Sequence, residues 1–265
     1  MPYFPQLSSG CLAQFPLQKR WSARTLRNLC LDGRQVKHSD SGARESGWEL
    51  WYSGLTLAEA ASLQALFAEC EGRLRPFVFF HPAGNLLARS EEFNVAPWQS
   101  SPMLQWATGV NDPVGTQRAM RVTNSGGVAG SAAQSVDIPA NYQTCFSVYA
   151  RGTSPVTIAF RRSTGAGSSS EPVSLETSWK RIEMSGRASG SNGPVIFALD
   201  LPAGTVVELW GAQLEGQLQS SAYRRTWAQS GARANARFDQ DELIVTAIGI
   251  DNYATRLRVL NREEA

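Results

Sequence analysis

Residues 48–80, WELWYSGLTLAEAASLQALFAECEGRLRPFVFF, constrain the chain more than any other stretch, because every local signal in them agrees. Trp48, Leu50 and Tyr52 alternate with Glu49, Trp51 and Ser53, the period of two of a half-buried strand. Ser53-Gly54 breaks the pattern. Thr56 and Glu59 then make T-x-x-E, a capping box in which each side chain satisfies a backbone donor freed at a helix start. Leu63, Leu66, Phe67 and Cys70 follow at i, i+3, i+4 and i+7, an apolar stripe on one helical face. Gly72 suits a left-handed C′ position and Pro76 stops the helix from resuming. Phe77-Val78-Phe79-Phe80 is a short run suited to a buried strand. The order is strand, helix, strand.

The rest of the chain is mostly β in texture. Its 265 residues suit one large or two ordinary domains, and an apolar share of 42% can build real cores. Charged residues, at 18%, lie below the usual quarter. A net charge of +2 gives no electrostatic case for nucleic acid or an anionic membrane. No run of 18 apolar residues is present, and MPYFPQLSSG lacks the regions of a signal peptide, so the product is expected to stay in the cytoplasm where it is made. On that expectation Cys11, Cys30, Cys70 and Cys145 are reduced thiols rather than disulfides, with a cluster formed only if the fold gathers them. His38 and His81 are the only histidines, and no hydrolytic triad, metal site or cofactor site is indicated.

Leu26 to Leu31 reads as a strand ending at the Asp32-Gly33 turn. Residues 37–47, KHSDSGARESG, have two readings: a solvated hairpin loop, or an arm ordered only against a neighbouring subunit. From residue 85 to 225 the chain becomes rich in Gly, Ser, Thr and Ala. Alternating strands are expected at 144–150, 156–161, 179–184, 195–201 and 206–214. Turn clusters at 126–127, 165–170 and 189–193 space them as in a β-sandwich. Residues 242–247 and 254–260 form a last hairpin, with Thr255, Leu257 and Val259 alternating against Arg256 and Arg258. A lone hairpin is marginal in water, so it must join the sheet of the first eighty residues. The expected organisation is therefore discontinuous. Residues 1–84 and 228–265 form a β-sandwich or split-barrel domain with one α-helix, and residues 85–227 form an inserted jelly roll.

Two stretches resemble known families. Trp48, Tyr52, residues 55–67, Gly72-Arg73 and residues 77–80 resemble the ring-forming N-terminal domain of phage distal tail and tail-tip proteins. NLLARSEEF from Asn85, with Trp98, and LWGAQLEG from Leu209, with Ala222-Tyr223, resemble the carbohydrate-binding-like jelly rolls within phage tail and fibre proteins. Together they imply a distal tail protein of the baseplate, a structural virion component that assembles in the host cytoplasm. The resemblance further implies a homo-oligomeric ring, hexameric in siphophages, that joins the tail tube protein to baseplate hub proteins. A receptor-binding protein for a bacterial surface glycan is the alternative. An enzyme that degrades cell-wall or capsule sugar ranks behind both, because no carboxylate pair is identified by spacing.

Sugar recognition needs an exposed aromatic ring on which a pyranose stacks its apolar face. Trp106, Tyr142 and Trp210 are the candidates, Trp210 because it alternates with Val206 and Glu208. Trp98 and Trp179 are expected in the core. Glu91, Glu92 and Glu215 are weak calcium candidates. Lys37, His38, Arg44 and Glu45 in the polar segment, and Arg224 and Arg225 at the exit of the insert, are candidate interface residues; Arg151, Arg161 and Arg162 are its other conspicuous cations.

Overall fold

Residues 1–190 and 193–262 are described by a computed structural model. The chain divides into two units. The first takes Met1–Ser8, Ala13–Phe79 and the chain from Arg233; the second takes Ser9–Leu12 and Phe80–Ala232. The first unit opens with strands β1 (Leu17–Leu29) and β2 (Gln35–Leu55), helix α1 (Leu57–Glu69) and strand β3 (Phe77–Phe80). The turn falls at Asp32-Gly33, and residues 37–47 lie in strand rather than loop, with 37–40 and 45–47 paired to β1 and the register shifting between them. At α1 the capping box is complete. The Glu59 N–H donates to Thr56 Oγ1 at 3.2 Å, and the Thr56 N–H donates to Glu59 at 2.9 Å. Ser8 adds two more donors to the same carboxylate, at 2.8 and 2.7 Å. Leu63, Leu66 and Cys70 are buried on the helix stripe, while Phe67 is only partly so.

Among the described residues the second unit contains ten strands: β4 (Gln99–Ser100), β5 (Leu104–Val110), β6 (Ala119–Asn124), β7 (Gly130–Val136), β8 (Thr144–Gly152), β9 (Val156–Thr164), β10 (Gly167–Leu175), β11 (Lys180–Gly186), β12 (Val195–Leu201) and β13 (Val206–Glu215). They form two five-stranded antiparallel sheets, β10-β9-β12-β7-β4 and β11-β8-β13-β6-β5. Phe146 of one sheet meets Phe160 and Phe197 of the other edge-on, at 5.1 and 5.8 Å, so the interior is a sandwich core. The serine-rich start of β10, expected as a turn, is strand from Gly167. It is an edge strand, exposed along most of its length, and polar residues serve there. Of the turn cluster at 189–193, residues 191 and 192 lie outside the described residues.

Buried Asn85 explains why the opening and closing signatures of this module go together. Its Oδ1 accepts from the N–H groups of Leu87 and Leu214, both at 3.0 Å. Its Nδ2 donates to the carbonyls of Ala212 at 2.8 Å and Arg224 at 3.2 Å. Ser90 continues the seam, meeting the Tyr223 hydroxyl at 2.7 Å and accepting from the Thr226 N–H at 2.9 Å. One amide thus satisfies four backbone groups from both ends of the module.

The chain then returns to the first unit as β14 (Ala232–Phe238), β15 (Val245–Gly249) and β16 (Asn252–Arg262). Strand β16 pairs with β2 from Tyr253↔Leu55 to Arg262↔Glu45, which supplies the sheet the last hairpin needs. The order is β1-β2-β16-β14-β3, with β15 also paired to β16. Thr255, Leu257 and Val259 are buried and Arg256 and Arg258 exposed, as the alternation requires. The core is aromatic: Phe79 packs on Trp48 at 5.0 Å and Phe4 at 5.3 Å, and Phe238 on Phe77 at 4.7 Å. Each such buried ring contributes roughly 1.5–3 kcal/mol of transfer free energy.

Candidate functional site

In the first unit, β1 and β2 continue past the rest of their sheet as a two-stranded arm. Residues 24–29 pair with residues 35–40, and β16 reaches β2 only as far as Glu45. Six paired residues extend roughly 20 Å. Leu26, Leu29, Leu31 and Val36 are exposed on the arm, as is Trp21 at its base. Lys37 stands opposite Arg27 and His38 opposite Leu26, while Arg44 and Glu45 lie at the base, where Glu45 meets Arg262 at 3.0 Å. Four of the expected interface residues therefore share this arm.

Both outer edges flanking β2 and β16 are unpaired among the described residues. Strand β1 ends the sheet on one side, and β15 has β16 as its only neighbour on the other. Ile244, Ile248 and Ile250 are exposed along and beside β15. Beside it runs an open groove of about 680 Å³ lined by Trp51, Arg73, Asp241, Glu242, Ile244 and Arg256, among others. The two segments differ in sequence charge, although Asp239 meets Arg20 at 3.4 Å and Arg73 at 3.8 Å, and Asp241 meets Arg73 at 3.6 Å, within the chain. Residues 20–44 carry Arg20, Arg24, Arg27, Arg34, Lys37 and Arg44 against Asp32 and Asp40. Residues 239–251 carry Asp239, Asp241, Glu242 and Asp251 with no Lys, Arg or His.

In the jelly roll the three expected platform residues do not form a platform. Trp210 is 3% exposed, packed between Tyr149 at 5.2 Å and Tyr223 at 4.6 Å. Alternation suggested an open face, but the chain near Tyr223 returns over β13 and covers it. Trp106 is half-buried, stacked parallel on Phe93 at 5.8 Å. Tyr142 is half-buried and edge-on to Phe80 at 6.0 Å. Trp98 is in the core as expected, and Trp179 is half-buried under the Arg151 guanidinium.

Arg224 and Arg225, the other two expected interface residues, are exposed and pair with carboxylates of their own module. Arg224 lies 3.7 Å from buried Glu215, and Arg225 lies 2.8 Å from buried Glu91. Glu91 also meets Arg118 at 3.2 Å and the Tyr223 hydroxyl at 3.1 Å. Burial pushes the Glu91 carboxyl above the usual range against the pull of Arg225 and Arg118. Glu92 pairs with Arg89 at 2.7 Å, so the three calcium candidates are held by cations or hydroxyls and do not converge. No group of three or more metal-ligating side chains occurs among the described residues. Arg161 is bidentate to Asp200 at 2.7 and 3.0 Å, while Arg162 turns inward with Nε and Nη1 unpartnered. All four cysteines are free.

Asp112 shows how this cluster responds to acid. Burial raises its pKa, but the hydroxyl and N–H of Thr116 and the N–H groups of Arg118 and Val114 outweigh that and hold it below 3.8. Its stabilising contribution is thus complete above the unfolded value of 3.8 and is lost as pH falls through the folded one. Asp112→Asn is expected to be destabilising at neutral pH. The gap in urea midpoint between it and the parent should narrow from about pH 5 to about pH 3.

Against known proteins, no family model matches the chain, and no curated protein does. Solved structures do. The enzymatically active domain of bacteriophage CBA120 tailspike protein 4 aligns with 52% of this chain at 11% identity and a TM-score of 0.42, and the chain spans 22% of its length. The xylan-binding domain CBM22-1 of Paenibacillus barcinonensis Xyn10C aligns with 52% of this chain and 98% of its own, at 12% identity and a TM-score of 0.42. TmCBM61, solved with β-1,4-galactotriose, aligns with 49% of this chain and 97% of its own, at 19% identity and a TM-score of 0.39.

Two features escaped sequence reasoning. The first is the acidic run at 239–251, visible as composition but meaningful only once β15 is known to be an edge. The second is Trp227, exposed at 56% at the exit of the jelly roll, with the Arg225 guanidinium 3.6 Å from its ring centroid. No periodic pattern surrounds it, so nothing in the sequence marked it as solvent-facing.

Proposed function

We propose that this chain is a structural component of a phage tail tip, a distal-tail-like protein that assembles head-to-tail into a closed ring. The reading is supported by the resemblance of residues 48–80 to the ring-forming domain. The observation that carries it is the arm of β1 and β2 standing opposite the unpaired edge of β15. A two-stranded arm with both faces in water is marginal alone. Unpaired edges are templates for another strand. Because the two edges differ, a contact between them is heterologous and propagates until rotation closes it into a ring. The excess of cations on the arm of one copy favours Glu242 and Asp251 beside β15 of the next, while Asp239 and Asp241 pair with Arg20 and Arg73 of their own chain.

In this reading the ring is built by the first unit and carries the jelly rolls. It joins the tail tube to the host-recognition apparatus in the virion, and its role is structural rather than catalytic. The test is native mass spectrometry with electron microscopy of the full chain at low and high salt. A closed ring, hexameric as the resemblance implies and weakened by salt, is the expected result. A monomer at tens of micromolar in low salt would remove the reading.

A further inference from the structure

We propose that Trp227 is a stacking platform for a neutral hexopyranose of a glycan. The site lies wholly within the jelly roll and does not rest on the ring reading. The module leaves one indole largely in solvent, and it is held rather than free. Arg225 lies over the Trp227 ring at 3.6 Å and is itself fixed 2.8 Å from the carboxylate of Glu91, whose side chain is 2% exposed. The backbone beneath is clamped as well. The Arg89 N–H donates to the Trp227 carbonyl at 2.7 Å, and Thr226 Oγ1 donates to the Leu87 carbonyl at 2.8 Å.

An aromatic ring held at the surface loses little freedom when a ligand stacks on it, which is what pre-organisation means for a sugar site. The guanidinium covers one face and leaves the remaining indole surface open to the C–H face of a pyranose. The charges around it balance, since Glu91 and Asp112 stand against Arg118 and Arg225, with Arg118 3.9 Å from Asp112. A balanced site has no excess cation for a uronate or phosphate, so neutral sugars are its class. The residues beside Trp227 in the chain, Arg224, Arg225, Ala228 and Gln229, are exposed and mostly polar. A protein-docking anchor is instead seated in a well-packed, desolvated pocket, whereas Trp227 is 56% exposed.

The test is affinity gel electrophoresis of the full chain in gels containing dextran, galactan or hydroxyethylcellulose, with polygalacturonate as the acidic comparison. Protection of tryptophan fluorescence from iodide is followed in parallel. Retardation by at least one neutral polymer is expected, with iodide protection. Trp227→Ala should weaken retardation roughly tenfold, the size of one aromatic stacking contact, and abolish the protection. Trp227→Phe keeps a ring and should retain part of the binding, so a folding defect in the alanine variant does not decide the matter. Arg225→Ala leaves the indole but frees it, and should weaken binding by a smaller factor. No retardation by any neutral polymer, retardation by polygalacturonate alone, or retardation unchanged in Trp227→Ala would each overturn the proposal.

Discussion

A chain in which residues 23–44 are replaced by a two-residue Asn-Gly turn between Ser22 and Glu45 is expected to fold and to remain monomeric. Ser22 and Glu45 are cross-strand partners, so such a turn closes the shortened hairpin without changing the register below it. The buried residues of β2, from Ser46 through Trp48, Leu50, Tyr52 and Leu55, all lie beyond the cut. Core stability should therefore change little, while five of the six arm cations and all its exposed leucines are removed with the tip. The opposite excision separates the two roles. The His81 N–H donates to the Gly231 carbonyl at 2.9 Å, so the chain leaves and re-enters at neighbouring points. Joining them through a short Gly/Ser linker removes the jelly roll, and the product should still form the ring. Native mass spectrometry of the two variants decides it. A ring from the arm-less chain and a monomer from the jelly-roll-less chain would reverse the assignment.

Phe79→Ala should lower stability by about 3–5 kcal/mol, the cost of deleting a fully buried aromatic ring and leaving its cavity. Phe79 is 0% exposed and touches Trp48 and Phe4 with ring geometry that a smaller side chain cannot replace. Thr56→Ala, which removes the acceptor for the Glu59 N–H, should cost about 1 kcal/mol. Phe67→Ala should fall between the two, because that ring is only partly buried, against Phe238 at 5.1 Å. Equilibrium urea unfolding of the three variants checks the order. Equal losses for Phe79 and Thr56 would mean that β3 does not sit at the centre of this core.

The parts legible in the sequence are those whose physics is local. The capping box of α1 needs only Thr56 and Glu59 three residues apart, and the structure has both of its hydrogen bonds. The alternation of Trp48, Leu50 and Tyr52 marks one face of a strand because successive side chains must point to opposite sides. Asp32-Gly33 marks its turn for a similar reason, since glycine there has φ +82° and meets no obstruction. What the sequence did not show depended on tertiary partners. Trp210 obeys its alternation yet is buried, because residues near Tyr223 cover the second face of β13. Arg224 and Arg225 resemble free surface cations until folding brings them to Glu215 and to Glu91, the latter more than a hundred residues away. Residues 37–47 have the composition of a loop and become strand only through β1.

By itself, then, the sequence determined the mostly β class, the single capped helix and the strand faces that alternate, because these follow from chirality, side-chain spacing and local hydrogen bonding. Tertiary structure alone decided which charges are spent internally, which sheet edges stay open and which tryptophan faces water. Each of those outcomes is set by the strand or side chain that arrives from elsewhere to cover or leave a surface, and no local pattern encodes that arrival.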